Sequence, residues 1–347
     1  METRGEFKVL ATLGKERIIL CPFEAALQLL IVLNLASLGR SLYQLAMEQY
    51  EMRYILAVVV CYDPVLSALQ NLSRNLQSEG VPVVWVNNGP AGSLESARGS
   101  HVLNVIELTQ NFGVATALNA GYQWALRNGF DAVITFDQDS QPEVGMVSKL
   151  QARWALSALE NEQVAAIGPA TIDHQSGQAM FSFEPYNWIR KRFLPSQAKA
   201  YAVDHLITSG CLMPCRVWQE VGPMNDGLFI DWVDIEWCAR ARLMGYVLLL
   251  DGGTQMSHSI GEVSRPILWR RFHCHMPIRH FYLLRNAILI AKMPHFDLGW
   301  RVHLLLYALR VIVASLVLGD RRLSRLHFAY QGLLAGFGGR QGPIEKS

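Results

Sequence analysis

The chain has 347 residues, of which 51% are apolar and 17% charged, with a formal net charge of +2. This length suits one large α/β domain with appendages or two small domains, and the apolar excess implies a large core or some contact with membrane. There is no internal repeat or low-complexity run, and the six cysteines (Cys21, Cys61, Cys211, Cys215, Cys238 and Cys274) match neither a disulfide framework nor a zinc ribbon.

Residues 1–52 show helical apolar spacing, no strand signal and no nameable chemistry, so they read as a helical N-terminal extension. The start of the chain gives no convincing signal peptide. The apolar stretch at 25–38 is short for a membrane span and contains Gln28 and Asn34.

At Tyr54 the character changes. YILAVVVCY is a continuous β-branched run ended by Asp63-Pro64, as expected of a buried parallel strand. A helix is predicted over 65–78, then the strand VPVVWV closed by Asn87-Asn88-Gly89-Pro90, then the short strand VLNVIEL. Helical spacing over 112–128 stops at Gly129. DAVITF is a further buried strand, and it runs directly into Asp137-Gln138-Asp139-Ser140. A helix to about residue 159 and the strand VAAIGPA follow. Next come an irregular aromatic stretch over 171–204, the strand LITSGCLMP, a helix over 234–244 and the strand YVLLLDGG. From about Ile267 onward the chain reads as mainly helical.

Strands alternating with helices imply a mostly parallel sheet flanked by helices. Ligands of such sheets bind beyond the carboxyl ends of the strands. Asp63, Asn87-Asn88 and the run 137–140 fall at those ends.

Asp137 and Asp139 end a buried strand and open a Pro-containing turn. Their hard oxygens suit Mg²⁺ or Mn²⁺, which needs one or two protein carboxylates when a diphosphate supplies the rest. A solvated turn is the plain alternative. Asp231, Asp234 and Glu236 form a second acidic group. Asp234 lies near a helix N-terminus, and Glu236 has Arg240 at i+4. This group reads equally as a general base in a crevice or as capping with surface pairs. His258 is a metal ligand beside carboxylates or a structural histidine. The small residues of NFGVATALNAG (111–121) permit close packing on the sheet or close approach to a phosphate. In RHFYLLRN (279–286), Arg285 is either a bidentate phosphate contact or a solvated or lipid-facing cation. A His273-Cys274-His275 zinc site lacks the spacing and the fourth ligand.

In this order the motifs VVVCYDP, VNNG, NFGVATALNAG, DQDS, SGCLMP, FIDWVDIEWCAR, His258 with Gly261, YLLRN and the tail GLLAGFGGRQG resemble glycosyltransferase family two, in its bacterial rhamnosyltransferase-like group. The resemblance runs from about Tyr54 to Gly342. It implies a GT-A type nucleotide-binding domain over 53–262, behind the extension 1–52 and before a basic, apolar, helical segment over 263–347. It implies that Asp63, Asn87, Asn111 and Asp137 meet the nucleotide-sugar donor, with Arg285 as a phosphate contact. Asn87 stands where the family places an acid. Asp139, Asp137 and His258 would ligate Mg²⁺ or Mn²⁺, and Asp234 would be the catalytic base of a single inverting displacement. The family often has Glu-Asp where this chain has Val233-Asp234. The implied donor is dTDP-L-rhamnose and the implied acceptor a saccharide or lipid-linked saccharide of the cell surface.

Residues 265–325 hold ten Arg and one Lys against Asp297 and Asp320, so 11 − 2 = +9. Such a segment points to an anionic partner. Its charges interleave with long apolar runs such as 302–318, which favours a lipid surface over nucleic acid. The expected location is cytoplasmic, peripheral at the inner face of the cell membrane. Two rival readings are a nucleotidyltransferase and a non-catalytic binding or scaffold protein. The first would carry a Gly-rich basic loop where YDPVLSALQN stands, and the second would tolerate loss of Asp137, Asp139 or Asp234. Nothing in the sequence sets an oligomeric state.

Overall fold

The computed structural model describes residues 9–13, 16–20, 52–159, 163–173, 179–185, 191–196, 199–258, 263–267, 270–274, 276–318 and 321–344, with backbone alone at 9–20, 158–159, 258, 263–274 and 314–318 within those ranges. At its centre is a nine-stranded sheet. Its parallel half is built from β3 (Ile55–Cys61), β4 (Val83–Asn87), β5 (Asn104–Glu107) and β6 (Ala132–Asp137), in the spatial order β6-β3-β4-β5. The continuous apolar runs have a simple cause: both faces are covered. In β3, Ile55, Ala57, Val59 and Cys61 belong to one core layer, and Leu56 and Val58 to the other. Fully burying such a side chain contributes about 1.5–3 kcal/mol, so a strand covered on both faces is apolar almost to its end, and Thr135 inside β6 is admitted only because its hydroxyl donates to the Thr208 carbonyl.

Helix α1 (Leu66–Ser78) covers one face with Leu69, Leu72 and Leu76. Its Ser73 hydroxyl accepts a 2.8 Å hydrogen bond from the indole of the fully buried Trp85. Helix α2 (Val114–Arg127) covers the other face, and there the small residues do packing work. A Cβ at Gly121 would collide with the Val58 side chain, so the helix sits on β3 only with glycine at that point.

The second half of the sheet is mixed. Strands β8 (Val164–Asp173) and β13 (Val247–His258) run parallel, whereas β12 (Cys211–Pro214) enters antiparallel between β6 and β8. The reason is the path of the chain. Gly210 hydrogen-bonds back to Thr135 near the carboxyl end of β6, so the chain begins β12 at that end and must run the other way. Short strands β7 (Gln141–Pro142) and β11 (Ala200–Ala202) pair with β13, and β9 (Ser182–Phe183) pairs with β10 (Arg192–Phe193). Helices α3 (Met146–Leu159), α4 (Cys215–Val221) and α5 (Val233–Leu243) complete this part.

The expectation of a helical extension over 1–52 needs correction for its described part. There, β1 (Val9–Leu13) and β2 (Glu16–Leu20) form an antiparallel pair with Val9 opposite Leu20. The two residues between them in sequence, Gly14-Lys15, are a hairpin signal that the helical reading passed over. Likewise, the segment 263–347 begins with an antiparallel pair, β14 (Val263–Ile267) and β15 (Arg270–Cys274). It becomes helical at α6 (Arg279–Ala291), α7 (Leu298–Leu318) and α8 (Arg322–Phe337). Ala287, Leu289, Ile290, Phe296, Trp300 and Leu304 join the same core layer as α2. Among the described residues no helix is long and apolar enough to cross a membrane. Cys61, Cys211, Cys215 and Cys238 are free buried thiols, and burial pushes Cys211 and Cys215 up to about 12.

Candidate functional site

Beyond the carboxyl ends of β3, β4 and β6 lies an open crevice of about 630 Å³. A larger groove, about 1260 Å³, lies between α6, α8 and the tail, but the crevice alone gathers the acids.

One wall is the turn after β6. Gln138 fastens it to the end of β3 by accepting from the Tyr62 N–H at 2.7 Å and donating to the Tyr62 carbonyl at 3.1 Å. Ser209 fastens it to the segment before β12: its hydroxyl accepts from the Asp137 N–H at 3.3 Å and lies 2.6 Å from the Ser140 hydroxyl. Asp137 and Asp139 line the crevice from this turn. Asn88 and Asn111 line the adjoining wall. The Asn88 amide donates to Asn111 Oδ1 at 3.2 Å, and Asn111 Oδ1 also accepts from the Gly113 N–H at 2.9 Å. Gly113 has φ +91°, and a Cβ there would strike the Phe229 carbonyl, which accepts from the Val114 N–H at 2.7 Å.

The opposite wall is the loop that leads into α5, and it is strained. Phe229, Asp231 and Trp232 have φ of +67°, +63° and +67°. Each such conformation costs on the order of 1–3 kcal/mol and persists only where the surroundings hold it. The hold comes from α6. The Asn286 amide donates to three carbonyls, those of Leu228 (2.8 Å), Ile230 (2.7 Å) and Asp231 (3.1 Å). Arg285 donates to the carbonyls of Leu228 (2.8 Å), Gly227 (3.2 Å) and Gly342. The Trp232 indole donates to the Leu283 carbonyl at 3.1 Å. Arg279 grips the Asp231 carboxylate, with its shortest contact at 2.7 Å.

Electrostatics follow from this packing. Burial raises the Asp234 carboxyl above the ordinary aspartate range, and neighbouring Asp231 adds to the rise; the charge of His205 and the hydrogen bond from the Ile235 N–H (2.8 Å) oppose it. His205 lies 3.3 Å from Asp204, which pairs with Arg242 at 3.0 Å. Burial works against the Arg279 cation, but the hydrogen bonds and charge of Asp231 outweigh it and hold its pKa above the usual value. Arg285 has no such acid, and burial brings it down to about 10. Glu236 faces away from the crevice. It is buried against Arg240 (2.8 Å) and His295 (3.2 Å), and despite burial these partners hold its pKa low.

Asn111, Asp137, Asp139 and Asp234 thus line one crevice. Three expected donor contacts do not line it. Asp63 is exposed in a turn at φ +48°. Asn87 is buried, its amide donating to Glu107, Pro90 and Ser93; the neighbouring Asn88 is the residue that reaches the crevice. Arg285 is turned inward, because a guanidinium fork satisfies backbone carbonyls as readily as phosphate. Arg279 is the cation on the crevice. The side chain of His258 lies outside the described residues; its backbone pairs with Asp173. Asn88 and Gln138 stand in the polar clusters expected at the strand ends but had no role assigned to them there, and Arg279 and Ser209, inside the motifs RHFYLLRN and SGCLMP, had none either.

Among the described residues no three His, Cys, Asp or Glu side chains gather into a closed metal site. Two carboxylates on an open crevice still fit Mg²⁺ or Mn²⁺, ions that keep coordination places for water and phosphate oxygens.

The profile of Glycosyl transferase family 2 matches residues 58–222. The dTDP-rhamnosyl transferase RfbF of Shigella flexneri is 30% identical over 270 residues, which is 76% of this chain and 86% of that protein. Among solved structures, GalNAc-T7 with UDP, GalNAc and Mn²⁺ gives a TM-score of 0.49 at 13% identity, covering 72% of this chain and 55% of that one. Residues 1–349 of TarS from S. aureus give 0.45 at 12% identity, covering 82% and 80%. These two distant likenesses carry no weight beside the Shigella relative. By its sequence match and the sheet that carries the crevice, the chain belongs to glycosyl transferase family 2, in its rhamnosyltransferase-like group, and is a glycosyltransferase with an α/β domain built on a mostly parallel sheet.

Proposed function

We propose that this enzyme moves L-rhamnose from dTDP-L-rhamnose to a hydroxyl of a saccharide or lipid-linked saccharide, with inversion, in the synthesis of cell-surface polysaccharide. The observation that carries the reading is the crevice itself, where Asp137 and Asp139 share a space with Asp234 and Arg279. The printed name of the Shigella relative supports the donor.

In this reading the donor lies along Asn88, Asn111 and Asp137, with its diphosphate toward Asp139. Asp137 and Asp139 hold a divalent ion, whose chemistry when bound is to offset the negative charge that builds on the leaving diphosphate. Arg279 adds fixed positive charge to the same space. Asp234 accepts the proton of the acceptor hydroxyl. The acceptor oxygen forms its bond to the anomeric carbon as the carbon–phosphate oxygen bond breaks, and the diphosphate leaves with the electron pair. One displacement inverts the anomeric centre. A carboxyl raised by burial is a stronger base than an exposed one, which suits Asp234 to this role. Residues 53–262 then carry the chemistry together with Arg279, and the rest of 263–347 braces it and faces the inner surface of the cell membrane.

The test is protection from thermal unfolding by a panel of nucleotide sugars. Stabilisation by dTDP-L-rhamnose with Mn²⁺ or Mg²⁺, lost on chelation, is the expected result. Stabilisation by another sugar nucleotide alone overturns the rhamnose assignment, and none at all overturns the donor site.

A further inference from the structure

Helix α7 has an outer face that nothing in the described structure covers. Leu298, Val302, Leu305, Leu306, Leu309 and Val313 are 46–67% exposed. At about 100° per residue these six fall within an arc of about 100°, and they run along about 22 Å of helix. Arg301 and Arg310 are exposed, one on each side, each about 40° beyond an edge of the arc. An apolar stripe with an arginine on each flank is the arrangement of a helix lying in a membrane interface: the stripe enters the acyl boundary and the guanidinium groups reach back to the headgroups.

We propose that α7 docks this face into the surface of an anionic lipid bilayer. Charge selects that partner over a second copy of the chain. Residues 298–337 contain five Arg and a single acid, Asp320. A twofold contact through α7 would set arginine near arginine with no carboxylate on the face to pair them. Anionic headgroups supply the missing charge. Arg301 and Arg310 are out of place in a span but suited to a helix in the surface plane.

The inner face of the same helix touches the site. Trp300 and Leu304 enter the core, and Tyr307 packs edge-on against Trp232 at 4.9 Å, two residues before Asp234. The catalytic loop is therefore separated from the lipid by roughly one helix diameter, about 10–12 Å. If the transferase reading holds, on which this one step rests, the acceptor hydroxyl lies close to the bilayer surface, on a saccharide joined to lipid by a short link. The docking itself is independent of that reading.

Flotation of the full chain with vesicles tests it. Wild type is expected to float with vesicles of phosphatidylglycerol and phosphatidylethanolamine and to stay behind with phosphatidylcholine alone. The variant L305E/L306E/L309E is expected to float at least about tenfold less, with unchanged Tm and dTDP binding. R301E/R310E, changed only at exposed flanks, is expected to lose the preference for anionic vesicles, and it carries the test if the triple variant fails to fold. The proposal is overturned if wild type does not float. It is overturned if the triple variant floats like wild type. It is also overturned if that variant turns a dimer into a monomer in light scattering without changing flotation. Binding of dTDP measured in the same samples separates a failed docking surface from a failed donor site.

Discussion

Two acidic stretches flank the crevice, and they are held in different ways. Asp137 and Asp139 stand on a turn braced by its neighbours in the sheet: Gln138 to Tyr62, and Ser209 to the Asp137 N–H. Their backbone has no positive φ. Asp231 stands on a loop with three residues at positive φ, and Asp234 stands in the first turn of the helix this loop opens; the loop is fixed by Arg279, Arg285 and Asn286 from a helix about fifty positions later. The first arrangement is unstrained, though its braces, Tyr62 and Ser209, are themselves 76 and 72 positions away, and it suits a group that only has to present charge to a mobile diphosphate. The second stores strain against a remote brace, as suits a base that must meet one hydroxyl at one angle.

The contrast is sharpened first by Asp234→Asn. Transfer is expected to fall by about 10²–10⁴-fold with donor binding retained, read by single-turnover kinetics and calorimetry. Unchanged transfer would assign the base elsewhere. Next comes Asn286→Asp, which replaces two N–H donors with an acceptor facing three carbonyls. Loss of the brace is expected to lower kcat by roughly 10²-fold and stability by about 1–3 kcal/mol, with little change in the KM for donor. If kcat fell and the KM for donor rose with it, the brace would serve both walls and the contrast would fail. Asp139→Ala is expected to act on the other wall alone, removing the gain in donor affinity that Mn²⁺ confers, about tenfold or ~1.4 kcal/mol by calorimetry. The smallest effect belongs to His205→Gln. Its positive charge holds the Asp234 pKa down against burial, so its removal lets that pKa rise further. The base works only when deprotonated, so activity then fails at a higher pH as the solution is acidified. The acid limb of kcat/KM is expected to move upward in pH, and a downward move would show that His205 does not face Asp234 as a cation.

The same contrast explains what could be read from residues alone. The parallel half of the sheet was legible because strands covered on both faces must be continuously apolar, and the acids at 137–139 were legible because such a run ends where the crevice begins. The antiparallel entry of β12 was not, since four apolar residues look alike in either direction. Asn87 was misplaced because its partner, Glu107, lies on the neighbouring strand and meets it only once β4 and β5 pair. Arg285 and Arg279 are six positions apart on one helix, and only the fold shows that the first turns to carbonyls and the second to the crevice. The hairpin at 9–20 was hidden by apolar spacing that suits a short helix equally well.

The brace reaches further along the chain than α6. The Gly342 carbonyl accepts from Arg285, the Gly342 N–H donates to the Gly227 carbonyl at 2.8 Å, and the Ile344 N–H donates to the Tyr282 hydroxyl at 3.0 Å. Gly227 and Gly342 are 115 positions apart. At roughly 5–20 residues per second, a ribosome takes on the order of ten seconds to travel between them. Throughout that interval the emerging chain holds the whole parallel half of the sheet and both acids of its turn, while the fastening of the loop that leads to Asp234 is still incomplete. A chain cut short before residue 342 would keep the turn that bears Asp137 and Asp139 and the hold of Arg279 and Asn286 on the opposite loop, but it would lose the Gly342 contacts to Arg285 and Gly227, so the two walls of the crevice would be completed at different times.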